Sequence, residues 1–209
     1  MQSCGGQNWR RQCAKLDKVI EIVPYKPGWP DEFQQIALKL RAGLGELAVR
    51  IDHIGSTAVP GLPAKDVIDI QVSVNALDDR VLRAMTALGY TLPEGIWPRV
   101  ADHCPPNFIG PETEWEKLLF RPPLGQRRTH VHVRVQGRAN QRYPLLFRDY
   151  LRTHTATANA YAELKRRLAR NLADPQTYPD VKDPAVDLIY LAAEDWAAAT
   201  DWLPGPADA

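Results

Sequence analysis

The chain reads KVIEIV from Lys18 to Val23, an alternation of apolar and polar positions that predicts a strand. Pro24, Pro27, Gly28 and Pro30 then interrupt the backbone. Phe33, Ile36, Ala37, Leu40 and Leu44 recur at helical spacing and predict a helix over 31–47, weakened at its end by Gly43 and Gly45. Strands are expected over 49–54 and 67–74, joined by a loop with Pro60, Gly61 and Pro63. A helix over 77–88 stops at Gly89. Residues 90–125 hold seven prolines and few clean periods, so only short strands near 99–104 and 116–121 are expected there. Thr129 to Gln136 is a further strand. Helices follow over 141–154, 158–172 and 184–200, with Tyr161, Leu164, Leu168 and Leu172 lining the second and Val186, Ile189, Tyr190, Ala193 and Trp196 the third.

This order predicts an α/β (α+β) fold with a mixed sheet covered mainly on one side and a helical C-terminal part. Strand parity sharpens the expectation. Ile68, Ile70 and Val72 share one face of their strand, opposite Val67, Asp69 and Gln71. Val131, Val133 and Val135 share one face of theirs, opposite His130, His132, Arg134 and Gln136. In one sheet, the two polar rows would meet on a common face and bring Asp69 to His130 or His132. The bland alternative is that both rows face water.

Composition sets limits. Of 209 residues, 44% are hydrophobic and 24% charged, with a formal net charge of +1, so no global field draws the chain to nucleic acid or anionic lipid. Cys4, Cys13 and Cys104 are odd in number and lack CxxC spacing, which favours reduced thiols in a cytoplasmic protein. No stretch has the ~20 apolar residues that a bilayer span needs. Residues 1–17 read as a flexible lead, 18–203 as the domain and 204–209 as a tail.

Several residues are candidates for chemistry. Two histidines at i, i+2 are a metal-ligand spacing, and with Asp69 they would make a three-ligand open site. Gly55, Ser56 and Thr57 directly follow a strand, where glycine lets a ligand approach the backbone and hydroxyls can hold a phosphate; a plain tight turn accounts for them equally. Lys65 and Arg50 would add positive charge to that site, or be solvated. His53 reads as a satisfied core histidine, and Asp52 would pair with it or with a neighbouring strand. Arg148, Arg152, Lys165, Arg166, Arg167 and Arg170 make the late helices basic. A solvated helix face is the expectation, with nucleic acid the lesser alternative.

The run from Asp52 through DHIGSTAVPGLPAK to Lys65, followed by Asp69, resembles the GrpB family. So do VIEIVPY with Trp29-Pro30, HVHV at 130–133, LFRDYLR at 146–152 and YAELKRRL at 161–168. The likeness spans residues 18–203. It is nearest to the domain fused to the C-terminus of actinobacterial dephospho-CoA kinase, a link to coenzyme A biosynthesis. The resemblance implies a nucleotidyltransferase-like fold. In that superfamily a Gly-Ser turn, here Gly55 and Ser56, holds nucleotide phosphates. An Asp-x-Asp/Glu strand binds magnesium, and a later strand adds a third carboxylate. Asp69 matches the first carboxylate. Gln71 departs from the second, being neutral and a poor magnesium ligand, and the later strand carries His130 and His132. Such a set suits zinc or manganese better than magnesium.

Two functions are therefore expected. In one, Ser56, Thr57 and Lys65 take a nucleotide or other phosphorylated small molecule, Asp69, His130 and His132 hold a divalent metal, and Asp69 and His132 serve transfer of a nucleotidyl group. In the other, the domain is non-catalytic and assists folding or assembly of dephospho-CoA kinase.

Overall fold

The computed structural model describes residues 20–93, 99–106 and 108–209. The expected lead at 1–17 lies outside them. Strands β1 (Arg50–Ile54), β2 (Ile68–Val74), β3 (Val100–Ala101), β4 (Glu116–Phe120) and β5 (Thr129–Val135) form one sheet in the order β1-β2-β5-β4-β3. The central pair, β2 and β5, is parallel, and every other pairing is antiparallel. Of the strand expected at 18–23, residues 18 and 19 lie outside the described residues and the rest reduces to an isolated bridge from Val23 to Ala64. Pro24 follows at once, and without an N–H it cannot extend a ladder.

Period-two patterning sends Ile68, Ile70, Val72, Val131 and Val133 to one face of the sheet. Helices α1 (Trp29–Leu44) and α2 (Asp79–Ala87) supply Trp29, Phe33, Leu40, Val81 and Met85 to the same core. α1 starts two residues earlier than its apolar stripe suggested. Pro30 is at home in a first helical turn, and Asp31 and Glu32 complement the helix dipole there. The Asp78 side chain caps α2, accepting from the backbone N–H groups of Arg80 and Val81.

The opposite face is not open to water. Helices α3 (Ala139–Thr153), α4 (Thr155–Asn171) and α5 (Tyr178–Thr200) build a second core of Leu146, Phe147, Tyr161, Val186 and Ala193, joined by Val59 and Leu62. The expectation of a sheet covered mainly on one side is thus corrected. The polar row can be covered because α3 brings partners to it. Gln71 Nε2 donates to the Gln141 carbonyl at 3.0 Å, and Arg148 Nη1 donates to the His53 carbonyl at 3.0 Å. α5 begins at Tyr178, six residues before the expected start, and runs through Pro184. Residues 204–209, set apart as a tail, pack beside β1. Ala209 N–H donates to the Ile51 carbonyl, and Asp208 accepts from His53 N–H and Arg148. Among the described residues no helix is long and apolar enough to cross a membrane.

Candidate functional site

The register of β2 and β5 decides the site. Asp69 lies opposite His130, Gln71 opposite His132 and Ser73 opposite Arg134. In parallel pairing, partners point to the same face, so the polar rows merge as expected. His130 Nδ1 stands 3.1 Å from Asp69 Oδ1, and His132 Nε2 stands 3.9 Å from the same oxygen. Burial alone would raise the Asp69 carboxyl, but the two imidazoles beside it outweigh that and hold it far below the usual carboxylate range. Asp69 is therefore the anion at neutral pH. The three side chains open into a cavity of about 380 Å3 whose other walls include Gly55, Ser56, Tyr143, Phe147 and Tyr161.

Gly55 turns the chain from β1 into a 3-10 turn, Ser56–Ala58, with φ at +73°. A side chain is disfavoured there twice over. The dihedral lies where L-residues are strained, and a Cβ would sit 2.7 Å from Asp69 Oδ2. The turn is thus built against the carboxylate. Ser56 faces the cavity, while Thr57 is buried and its hydroxyl meets His53 Nε2 at 3.0 Å. His53 stacks on Phe33 with 4.8 Å between ring centroids, a core histidine as its strand parity predicted. Lys65 lies at the edge, its Nζ 4.2 Å from the centre of the Tyr178 ring. It lines a second, smaller cavity together with Ser56 and Thr57. Arg50 and Asp52 stay out of the site, since Arg50 donates twice to its own strand neighbour Asp52, at 2.7 Å each.

Beneath His132 lies a charged layer that only the structure reveals. Asp102, just past β3, accepts from Lys117 Nζ at 2.6 Å and from Arg134 Nη2 at 2.6 Å and Nε at 2.8 Å. Arg134 Nη1 also donates to Gln71 Oε1 at 2.8 Å. Burial works against the Asp102 charge, but Arg134 and Lys117 prevail and keep the carboxyl far below its usual range. Gln71 is fully buried and committed to Arg134 and Gln141, so it does not stand in for the second carboxylate of the Asp-x-Asp/Glu pattern. His132 is neutral. Burial pushes its imidazole down to about 3, and Lys117 adds to the effect.

The donor set has the geometry of a metal site. One ligand atom each from Asp69, His130 and His132 lies within 4.8 Å of the others, so one ion can reach all three. One carboxylate with two neutral imidazoles is a transition-metal set. One feature opposes it. Arg134 Nη2 sits 3.4 Å from His132 Nδ1 and can only donate, which favours the proton on Nε2, the atom turned to Asp69. That contact is long, and the shorter bonds of Arg134 go elsewhere, so moving the proton to Nδ1 costs one weak hydrogen bond and leaves two donors facing each other until Arg134 Nη2 turns aside. The residues fit the ion.

The late basic helices divide. Arg166 and Arg167 are exposed and cluster with Arg170 around Glu163, which is the solvated face expected. Arg148 and Lys165 are buried instead, at 3% exposure each. The buried stripe of α4 is Ala158, Tyr161, Ala162 and Lys165, a regular helical spacing in which Lys165 holds the last place. The expectation of a solvated face is corrected for Lys165, and that spacing is the signal that could have found it. Lys165 Nζ donates to Ser56 Oγ at 2.9 Å and to the Pro63 carbonyl at 2.5 Å.

Sheet, helices and cavity together define a mixed α/β domain with a carboxylate–imidazole cluster set beside a Gly-Ser turn. The sequence profile described as GrpB protein matches residues 19–191, and the chain belongs to the GrpB family. A UPF0157 protein of Pseudomonas aeruginosa is 37% identical over 88% of this chain and 70% of its own length. Dephospho-CoA kinases of Mycolicibacterium paratuberculosis and Mycobacterium tuberculosis are 36% and 37% identical over 93% of this chain. The chain spans about half the length of these kinases, 50% in each case. The crystal structure of the conserved protein GrpB from Enterococcus faecalis superposes with a TM-score of 0.63 at 25% identity, covering 82% of this chain and 98% of that one.

Proposed function

We propose that this protein binds a nucleotide or similar phosphorylated small molecule in the 380 Å3 cavity and transfers a nucleotidyl group with the help of a divalent metal. One observation carries the reading. Three separated pieces of chain, at 55–56, 69 and 130–132, open into the same cavity. Asp69, His130 and His132 would hold the ion, with zinc or manganese favoured over magnesium by the imidazoles. When bound, such an ion acts as a Lewis acid on a phosphoryl oxygen. The chain's own residues do the rest. Ser56 binds phosphate oxygens, Lys65 on the wall of the adjoining smaller cavity adds positive charge, Gly55 leaves room for the Asp69 carboxylate, and His132 is held neutral, the form in which an imidazole ligates an ion. The aromatic wall of Tyr143, Phe147 and Tyr161 makes the cavity largely apolar beside the reacting groups. With Gln71 buried and spoken for, the described residues offer one ligand group, Asp69 with His130 and His132, so the chemistry is that of one metal rather than two.

Thermal unfolding with nucleoside triphosphates and a panel of zinc, manganese and magnesium tests this. A ligand at about 100-fold over its Kd stabilises the native state by about 2.7 kcal/mol. The shift is expected for at least one nucleotide–metal pair and should vanish in Asp69→Ala and in Gly55→Ala. Absence of any shift across the panel would remove the proposal.

A second reading is favoured by the extent of the match to dephospho-CoA kinases. Half of each kinase corresponds to this chain, which fits a domain that assists a kinase to fold or assemble. In that case adding this protein should raise the soluble yield or activity of a kinase domain supplied separately. An unchanged yield and an unchanged rate would dismiss it.

A further inference from the structure

The smaller cavity, of about 150 Å3, adjoins the larger one and shares Ser56, Asp69, His130, Tyr161 and Lys182 with it. Lys165 lies on its wall at 3% exposure. The partners of its ammonium are all neutral: the Ser56 hydroxyl, the Pro63 carbonyl and the face of the Tyr161 ring, 4.6 Å away at its centre. A buried cation is costly unless an opposite charge meets it, and no carboxylate among the described residues pairs with this one. The same cavity is lined by Lys65, Arg128 and Lys182. Its one lining carboxylate, Asp69, is turned to His130 through Oδ1. Four cationic side chains and one carboxylate thus line a space that adjoins an aromatic-walled chamber.

We propose that the smaller cavity seats the phosphate dianion of a phosphate monoester, gripped by Lys165 Nζ and Ser56 Oγ, while the ester's aromatic or heteroaromatic body lies between Tyr143, Phe147 and Tyr161 in the larger one. This rests on the larger cavity being a site for phosphorylated molecules and adds which group takes the anion and what kind of body it carries. The state of the lysine agrees. Burial, with Lys182 and Arg166 adding to it, pushes the Lys165 ammonium down to about 7. An anion beside it would restore the charge. An anion at this helix could not be read from the chain alone, because a lysine there reads as part of a solvated face.

The experiment follows Lys165 itself. The protein is prepared with 13C-labelled lysine, and the Lys165 Cε resonance, assigned with Lys165→Arg, is titrated in chloride and in sulfate at equal ionic strength. Sulfate is the probe because its charge is constant through this pH range. The titration midpoint is expected to rise by about one pH unit in sulfate. Ser56→Ala should weaken sulfate roughly ten-fold by removing one charged hydrogen bond. Phenyl phosphate should bind at least about ten-fold more tightly than inorganic phosphate, since burying its ring adds 1.4 kcal/mol or more. A midpoint unmoved by sulfate overturns the phosphate seat, and equal affinity for the two phosphates overturns the aromatic body. Nucleotide–metal binding that leaves Lys165 unmoved overturns this inference but not the proposed function. A sulfate response without any nucleotide binding does the reverse.

Discussion

His53 shows how one side chain ties the core to acidity. Its ring stacks on Phe33, bonds to Thr57 and is 4% exposed. Burial lowers its folded value from 6.5 to about 4. The unfolded chain therefore takes up the proton first. Stability from this residue is complete above about pH 6.5 and is lost as pH falls toward 4. A shift of this size corresponds to roughly 3 kcal/mol. Urea unfolding between pH 7 and pH 4 should show the decline, and His53→Phe should make it shallower. His132 contributes in the same direction, so some slope should remain in the variant. Identical slopes for the two proteins would mean that His53 is not held neutral. Parity along β1 was enough to assign His53 to the core, because neighbours in a strand leave little choice of face. Asp52 shows the limit of that reasoning. It was expected to seek His53 or another strand, and it is satisfied by Arg50 two residues away.

At the level of elements, the caps and prolines carry information that apolar spacing does not. Asp78→Ala removes the side chain that accepts two backbone N–H groups at the start of α2 and should cost about 1 kcal/mol in chemical denaturation. A cost near zero would show that water replaces the cap. The strands β1, β2 and β5 and the helices α1 to α5 were legible because their periods are clean, whereas β4 was expected only as a short strand in a stretch with few periods. The short β3 emerged only as a vague expectation because prolines break the pattern around it. The early start of α5 was missed because Pro184 looks like a first-turn proline. The helix already has Pro179 in that place and carries Pro184 within it, held by packing of Tyr178 and Val186. α4 was assigned correctly and its inner stripe only in part, since Tyr161 and Leu164 pack inward but Ala158, Ala162 and Lys165 complete the buried face. Leucines at 164, 168 and 172 drew the face away from Lys165, because a charged residue normally marks the outside of a helix.

For the whole molecule, the sheet separates two cores, and the layer between them is charged. Arg134 joins Asp102, Gln71 and the underside of His132 while being 5% exposed. Replacing it by methionine leaves Asp102 buried with Lys117 as its remaining strong partner and should cost about 3–5 kcal/mol in denaturant unfolding. A loss under about 1 kcal/mol would mean that the layer is wetter than the structure has it. The meeting of Asp69 with His130 and His132 was readable in the sequence, since parity and adjacency of two strands suffice to set it. Asp102 and Lys117 were not, because they come from the proline-rich stretch and from β4, whose pairings only the folded chain decides.

The pairing of β2 with β5 leaves the cluster no gradual way to decay. Deleting or inserting a single residue in either strand would turn aspartate or histidines toward Trp29 and Phe33 and send valines into the chamber. Lineages that lose the cluster should therefore do so by exchanging side chains in place, while the lengths of these two segments stay fixed. An odd change in either length would mark a protein that has been rebuilt rather than merely silenced.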